Sequence, residues 1–340
     1  MRGSVATYHD LRRETGLSLA TISKYFNGGN VLEENARSIE EAAKRLEFRP
    51  NTFARNLRTR RTRTVGVLLP DLTSDFYLSI LSGIERRLRD NGVSMLICVD
   101  HHEDEGVDDA VEFLASRMVD GVITVPSTRA LPGLRTLAAQ GTPVVAIDWP
   151  ADGVEADAVV IDNEEAAAMA IQRLADRGHR RIAFIGNDRV PTIRARERGV
   201  RNQLAARRIP VREEYIARSP MSVEGGRLAM QRLLLLEERP TAVFCSMNLV
   251  GVGALTALAE SGLRVPDDMS FVGFDMPLLA RMTDPPLDMV NQRVGDLARA
   301  SADLMLRRLD PEAPAVPPQT VVLHAEFLHG GSVADIRRQS

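Results

Sequence analysis

The sequence predicts an α/β protein with three parts: a small helical head, a basic connecting segment, and a long body of two doubly wound lobes. Three observations lead there. In the first fifty residues the apolar spacing is helical, with glycines between short stretches. From Thr64 onward, short apolar runs alternate with amphipathic stretches, the pattern of parallel sheets covered by helices on both faces. The charge divides at the same place. Residues 1–64 carry 13 basic against 7 acidic side chains, net +6, and the remainder carries net −9, within a chain total of −3. A basic head on an acidic body points to a polyanionic partner for the head.

The head reads as three short helices. Thr7-x-x-Asp10 has the form of a capping box, and Gly16 ends the helix it opens. Ser18 suits the N-cap of a second helix reaching about Asn27. Gly28-Gly29-Asn30 breaks the chain, and Ile39, Ala42, Ala43 and Leu46 then mark one face of a third helix. Two helices joined through Gly16 predict a helix-turn-helix. Its second helix places Ile22 and Phe26 inward and Leu19, Ala20, Ser23 and Lys24 outward. A recognition helix puts its first residues against major-groove base edges. Lys24 can donate to guanine, and Leu19 or Ala20 can touch a thymine methyl. Ser18 and Ser23 suit phosphate. The same residues also fit a helical docking domain with a solvated basic face.

Residues 48–70 contain six arginines and no acidic residue. Pro50 suits a helix start, and 51–57 make about two turns, too few to be stable alone in water. This segment is expected to order against a partner.

In the body, strands are expected at 65–70, 93–99, 121–126, 143–148, 158–162, 181–186, 241–247 and 269–275. Helices are expected at 75–91, 106–117, 130–140, 163–177, 194–208, 223–236 and 248–261. So many βα units exceed one open sheet and predict two lobes. Ligands of such sheets bind beyond the carboxyl ends of the strands, so residues just after strands are the candidates.

Composition narrows the function classes. With 44 % hydrophobic and 26 % charged residues in 340, the chain is globular and long enough for two or three domains. No run approaches the length of a membrane span, and the start has no apolar signal core, which predicts a cytoplasmic protein without membrane contact. Cys98 and Cys245 lie in apolar runs and read as buried core thiols of a reducing compartment. His101-His102-Glu103-Asp104-Glu105 reads as an acidic loop before a helix rather than a metal site. His179, after Gly178, reads as a helix-end residue. The chain shows no phosphate-binding loop, dinucleotide fingerprint or nucleophile elbow. It is therefore expected to be neither an enzyme nor a cofactor or metal protein.

The run TYHDLRRETGLSLATISKYFNG, followed by VLEENARSIEEAAKRLEFRPNTFARNLRTRRTRTVGVLLPD, resembles the head and hinge of the lactose-repressor (LacI/GalR) family of transcription regulators. The likeness continues through RGHRRIAFIG, Arg196-Glu197-Arg198-Gly199, and SFVGFD with PPLDMVNQ. It implies a helix-turn-helix DNA-binding domain at 1–49, a hinge helix within 50–63, and a two-lobed, periplasmic-binding-protein-like body at 64–340. The first lobe would take about 65–162 and 293–320, and the second about 163–292 and 321–330.

By the same resemblance, Leu19, Ala20 and Lys24 match base-reading positions, while Thr7, Ser18, Ser23 and Asn27 match phosphate or supporting positions. Asn51, Ala54 and Leu57 match the minor-groove helix, with Leu57 as an apolar wedge between base pairs. The alternative for Leu57 is interdomain packing. The family also implies a homodimer on a palindromic operator, acting as a repressor, with a sugar-like effector between the lobes. Ser74, Phe76, Tyr77, Asp148, Trp149, Met247, Asn248 and Asp275 follow expected strands and Arg196 opens a second-lobe helix, which makes them the effector candidates. The resemblance singles out Arg196 and Asp275 first, then Asp148 and Phe76. Each has a structural alternative: Arg196 pairing with Glu197, Asp275 or Asp148 capping a turn, Phe76 and Trp149 packing.

Three departures stand out. Lys24 replaces a common arginine, so a forked guanine contact becomes a point charge. Leu32 stands where a capping serine is frequent, and Asn35-Ala36 replaces a usual Thr-Arg, which predicts weaker backbone contact from helix three. Met247-Asn248 replaces an Asn-Asp pair, which loosens the grip on a hexose. A purine corepressor, a partner protein or no ligand are the alternatives within the family. A solute-binding protein is the distant one.

Overall fold

The computed structural model describes residues 6–26, 29–48, 61–72, 74–100 and 110–338. The chain divides into two compact units, Met1–Thr62 and Arg63–Ser340. The expected hinge residues Asn51, Ala54 and Leu57, together with Asn27 and the His101–Glu105 loop, lie outside the described residues.

The first unit holds helices α1 (Tyr8–Thr15), α2 (Leu19–Phe26) and α3 (Glu33–Arg45). The Thr7 N–H donates to Asp10 Oδ2 at 2.9 Å and the Asp10 N–H returns to Thr7 Oγ1 at 3.4 Å, closing the capping box. Gly16 takes φ +70° and sends its N–H back to Arg12 O, a left-handed turn in which a side chain is strained. Ser18 Oγ accepts from Thr21 N at 3.1 Å and so caps α2. Leu32 precedes α3, 67 % exposed, and its apolar side chain makes no capping hydrogen bond to that helix. Leu11, Ile22, Ile39, Ala42 and Phe48 form the core. Tyr8 meets Phe26 and Phe48 edge to face, with ring centres 5.9 and 5.1 Å apart.

The second unit contains two six-stranded sheets. The first is built from β1 (Thr64–Leu69), β2 (Ser94–Val99), β3 (Gly121–Thr124), β4 (Val144–Ile147), β5 (Asp157–Ile161) and β11 (Thr320–Leu323). Its order is β11-β5-β4-β3-β1-β2, all parallel. The second is built from β6 (Ile182–Gly186), β7 (Ile216–Arg218), β8 (Ala242–Cys245), β9 (Ser270–Phe274), β10 (Asp288–Asn291) and β12 (Glu326–Leu328). Its order is β12-β10-β9-β8-β6-β7, with only β12 antiparallel.

Helices α4 (Asp75–Asp90), α5 (Ala110–Ser116), α6 (Leu131–Ala139) and α12 (Val294–Leu309) pack on the first sheet. Helices α7 (Asn163–Asp176), α8 (Pro191–Ala206), α9 (Val223–Leu234), α10 (Asn248–Glu260) and α11 (Pro277–Met282) pack on the second. The chain passes between sheets three times: after β5, after β10 and after β11. Side chains tie these crossings together. His324 Nδ1 lies 2.5 Å from Glu165 Oε2, and Asn291 Nδ2 donates to Glu326 Oε1 at 2.7 Å. No helix among the described residues is long and apolar enough to cross a membrane.

Several expectations are corrected. Strands β7, β10, β11 and β12 and helices α11 and α12 were not predicted. The strands are three or four residues long, and three of them are only partly buried, so their apolar signal is short and diluted. Helix α12 carried a readable stripe, since Leu297, Ser301, Leu304 and Met305 are buried along one side. Residues 321–323, assigned to the second lobe, pair with β5 in the first sheet. Parallel pairing cannot be seen in a four-residue run. Cys98 is half-buried because β2 is an edge strand; Cys245 is fully buried. Helix α8 starts three residues earlier than expected, because Pro191 serves its first turn.

Close helix packing positions the site. A Cβ on Gly199 would stand 2.2 Å from Glu164 O, so α7 and α8 touch through backbone. His179 is buried, with Nδ1 2.9 Å from Thr241 Oγ1 and Nε2 3.2 Å from Ala334 O. It ties the C-terminal segment to the second sheet.

Candidate effector site and recognition helix

The strand ends of the two sheets bring four of the predicted residues together. Asp148 follows β4, Arg196 lies in α8, Asp275 follows β9, and Tyr77 lies in the first turn of α4. The charges of Asp148, Arg196 and Asp275 act on one another, and Tyr77 feels Asp148 and Asp71. The two carboxylates come from different sheets, so the guanidinium sits where the lobes face each other.

Arg196 is 4 % exposed and held from three sides. Its Nε donates to Asn163 Oδ1 at 2.7 Å, and its Nη1 donates to Ser246 O at 2.6 Å. Its guanidinium carbon lies over the Phe274 ring, 3.6 Å from the ring centre, a cation–π contact. It does not pair with Glu197, which is engaged by Arg201 and Arg218. Asp275 receives the Gln292 N–H on Oδ1 at 2.8 Å and the Gln292 side-chain amide on Oδ2. Asp148 and Asp275 both adopt left-handed backbone, φ +74° and +50°, conformations that strain a residue with a side chain.

Burial dominates the electrostatics. It pushes the Asp148 carboxyl up to about 6, with Arg196 opposing and Asp275 adding to the rise. Burial also raises Asp275, against the two hydrogen bonds from Gln292 and the charge of Arg196. The Tyr77 hydroxyl is raised by burial and by the carboxylates of Asp148 and Asp71.

Four buried side-chain polar atoms lack a hydrogen-bond partner among the described residues: Thr124 Oγ1, Asp148 Oδ1, Ser246 Oγ and Gln292 Oε1. Each belongs to a residue that ends or directly follows a strand, β3, β4, β8 and β10 in turn. Two come from each sheet. Buried polar atoms are nearly always satisfied, and open α/β sheets bind ligands at these ends.

The other predicted residues sit nearby or are otherwise engaged. Ser74 precedes α4 and donates its N–H to Asp71 Oδ1 at 3.0 Å. Phe76 packs against Tyr77, ring centres 5.3 Å apart, and both lie on the core with Trp149. Asn248 opens α10, and its side-chain Oδ1 accepts the Leu249 N–H at 2.7 Å. Sequence reasoning missed Thr124, Asn163, Ser246, Phe274 and Gln292. Thr124 and Ser246 fall inside runs read as strand, 121–126 and 241–247, whereas the strands end at Thr124 and Cys245, so inspecting residues after the expected strands passes over both. Gln292 follows a strand that was not recognised.

In the head, Ala20 and Lys24 are exposed, and Leu19 and Ser23 are half-buried. Thr7 and Ser18 are exposed as well, each bonded at the start of its helix. Ile22 is buried and Phe26 packs on the core, leaving one side of α2 outward.

Known proteins share this architecture. Residues 171–333 match the model of the periplasmic binding protein-like domain. The HTH-type transcriptional repressor PurR of Haemophilus influenzae (strain PittEE) is 30 % identical over 310 residues, 90 % of this chain and 91 % of that one. A LacI family regulator from Enterococcus faecium, solved with bound ribose, is 28 % identical with a TM-score of 0.71, covering 81 % of this chain and all of that one. The lac repressor dimer bound to operator and the anti-inducer ONPF has the same fold: TM-score 0.84, 24 % identity, 97 % of this chain and all of that one. These relatives are regulators of transcription, a role that does not itself require catalysis. The chain belongs to the lactose-repressor (LacI/GalR) family of DNA-binding transcription regulators.

Proposed function

We propose that the protein is a repressor that binds a palindromic operator as a homodimer and releases or grips it according to a small, sugar-like effector held between the lobes. One observation carries the effector reading. The four unpartnered polar atoms lie at strand ends of both sheets, in the same end of the body as Arg196 and its two carboxylates. Asp148 Oδ1 and Gln292 Oε1 only accept hydrogen bonds, so a ligand bearing several O–H donors suits them. Arg196 and two carboxylates can grip neighbouring hydroxyls from opposite sides. The ribose-bound relative supports the same chemistry. Met247 offers no amide for a larger ring, which favours a small sugar.

The expected site residues take these roles. Arg196, Asp275, Asp148 and Asn248 bind the effector's polar edge, and Ser74, Phe76 and Tyr77 close over it. Leu19, Ala20 and Lys24 read bases; Thr7, Ser18, Ser23 and Asn27 contact phosphate or support those contacts; Asn51, Ala54 and Leu57 enter the minor groove. The domains are 1–49, 50–63 and 64–340, with the first lobe extended to Leu323. Exposed apolar side chains in both lobes support the homodimer: Leu78 and Ile97 in the first, Leu278 and Met282 in the second. Effector binding alters lobe closure, and closure alters the spacing of the two hinges on DNA. The coupling equals the effector's difference in affinity for the two states. The protein acts in the cytoplasm.

Titration calorimetry on the full chain tests the effector class, with neutral pentoses and hexoses, D-ribose 5-phosphate, and hypoxanthine as probes. Heat from a neutral sugar alone supports the reading. Binding of hypoxanthine alone replaces it with a nucleobase corepressor. For the DNA arm, Leu57→Ala should weaken operator binding far more than nonspecific binding at fixed salt. Equal losses would remove the wedge role.

A further inference from the structure

Among the groups that hold Arg196, Asn163 is unlike the others, because it belongs to the segment by which the chain first leaves one sheet for the other. It is 6 % exposed and opens α7, two residues beyond Ile161, which ends β5. Its Nδ2 donates to Ile161 O at 3.1 Å, and its Oδ1 accepts from Arg196 Nε at 2.7 Å. The orientation of the amide is fixed by its partners, since a guanidinium N–H only donates and a carbonyl only accepts. The position needs a short side chain with a donor on one side and an acceptor on the other. Aspartate keeps the acceptor and loses the donor. Alanine loses both and leaves a buried guanidinium N–H unmatched.

The two partners belong to different lobes. Ile161 is registered against Leu323 of β11 in the first sheet, while Arg196 lies on α8 of the second. Helix α7 cannot move away from α8 without opening the backbone contact at Gly199. The amide is thus a two-bond bridge from the end of β5 in the first sheet to the charged centre of the site.

We propose that Asn163 is a positioning residue that locks the Arg196 guanidinium to the first interlobe crossing, so that a ligand engaging Arg196 acts directly on the hinge between the lobes. The functional meaning rests on Arg196 being an effector contact, as proposed above; the lock itself is testable without any ligand.

The experiment uses the full chain with 15N-labelled arginine. The Arg196 Nε–H signal is identified by its loss in Arg196→Lys, and its exchange with water is measured. Asn163→Ala should speed that exchange about thirtyfold, the loss of a buried hydrogen bond to a charged group. Asn163→Asp should leave it within about threefold of wild type, because the acceptor remains, yet speed backbone amide exchange over residues 159–166. Amide exchange in α9 and α10 reports whether the second lobe stays folded. Unchanged Nε–H protection in Asn163→Ala overturns the lock. So does equal loss in both variants with α9 and α10 loosening in step, which marks a packing role. Calorimetry with D-ribose on the same samples is read separately. If wild type binds none of the sugar probes while the exchange pattern holds, the effector reading fails and the positioning role stands.

Discussion

Asp275 and Gln292 are joined by two hydrogen bonds across the second interlobe crossing: backbone N–H to Oδ1 at 2.8 Å, and side-chain amide to Oδ2. Asp275 follows β9 in the second sheet, and Gln292 leads from β10 into α12, which packs on the first. The carboxylate is therefore oriented by the protein's own groups, while Gln292 Oε1 is buried with no partner among the described residues. Gln292→Ala keeps the backbone bond and removes the amide. It should cost about 1 kcal/mol of stability, and it should weaken binding of whichever sugar calorimetry identifies by about tenfold. Denaturant titration and calorimetry measure the two effects.

Asp148 is held at a cost to the fold. Its carboxyl titrates at about 6 in place of the usual 3.8, chiefly through burial. The unfolded chain releases this proton near pH 4 and the folded chain near pH 6. The group therefore favours folding fully below pH 4, and the benefit is lost as pH rises through 6. Asp148→Asn mimics the protonated form. It should raise stability at pH 8 by up to about 3 kcal/mol, leave it unchanged at pH 3.5, and abolish sugar binding. Thermal melts across pH 3.5–8 check the sign.

Gly199→Ala should act through geometry alone. The new methyl would meet the Glu164 carbonyl at 2.2 Å, and backbone cannot yield as a side chain does. Overpacking of this kind costs about 1–3 kcal/mol. The same displacement would draw Arg196 on α8 away from Asn163 on α7. Melts should show the lower stability, and the Arg196 Nε–H should exchange faster even though neither partner is changed.

Ser18 separates helix stability from DNA affinity. Its hydroxyl caps α2 through the Thr21 N–H. Ser18→Ala should lower head stability by about 1 kcal/mol. Ser18→Asp should restore the cap and weaken DNA binding below the level of the alanine variant, because a carboxylate repels phosphate. A gain of DNA affinity in Ser18→Asp would show that no phosphate lies there. Lys24→Ala should relax sequence preference if the amine meets a base, and lower the salt slope by about 1 if it meets a phosphate.

Local chemistry made the head legible. A capping box, a glycine in a left-handed turn and a serine cap each act within a few residues, so Thr7, Gly16 and Ser18 announce their roles in the sequence. The alternation of apolar runs and amphipathic stretches likewise announces two parallel sheets, because burial on both faces demands continuous apolar strands. The half-exposed β7, β11 and β12 escaped for the converse reason: a short strand at a sheet edge needs no such run.

What the sequence by itself determined is the class of the protein, the order of its parts, and the charged residues Asp148, Arg196 and Asp275 that follow or face strand ends. Only the tertiary structure decided how those charges are held. The residues that hold them, Asn163, Ser246, Phe274 and Gln292, lie up to 129 positions apart in the chain and meet because two sheets direct their strand ends to one place. An amide bonded to an arginine 33 residues away leaves no periodic trace. Hydrogen bonds depend on distance and direction in space, and sequence spacing fixes these only within a single helix or strand.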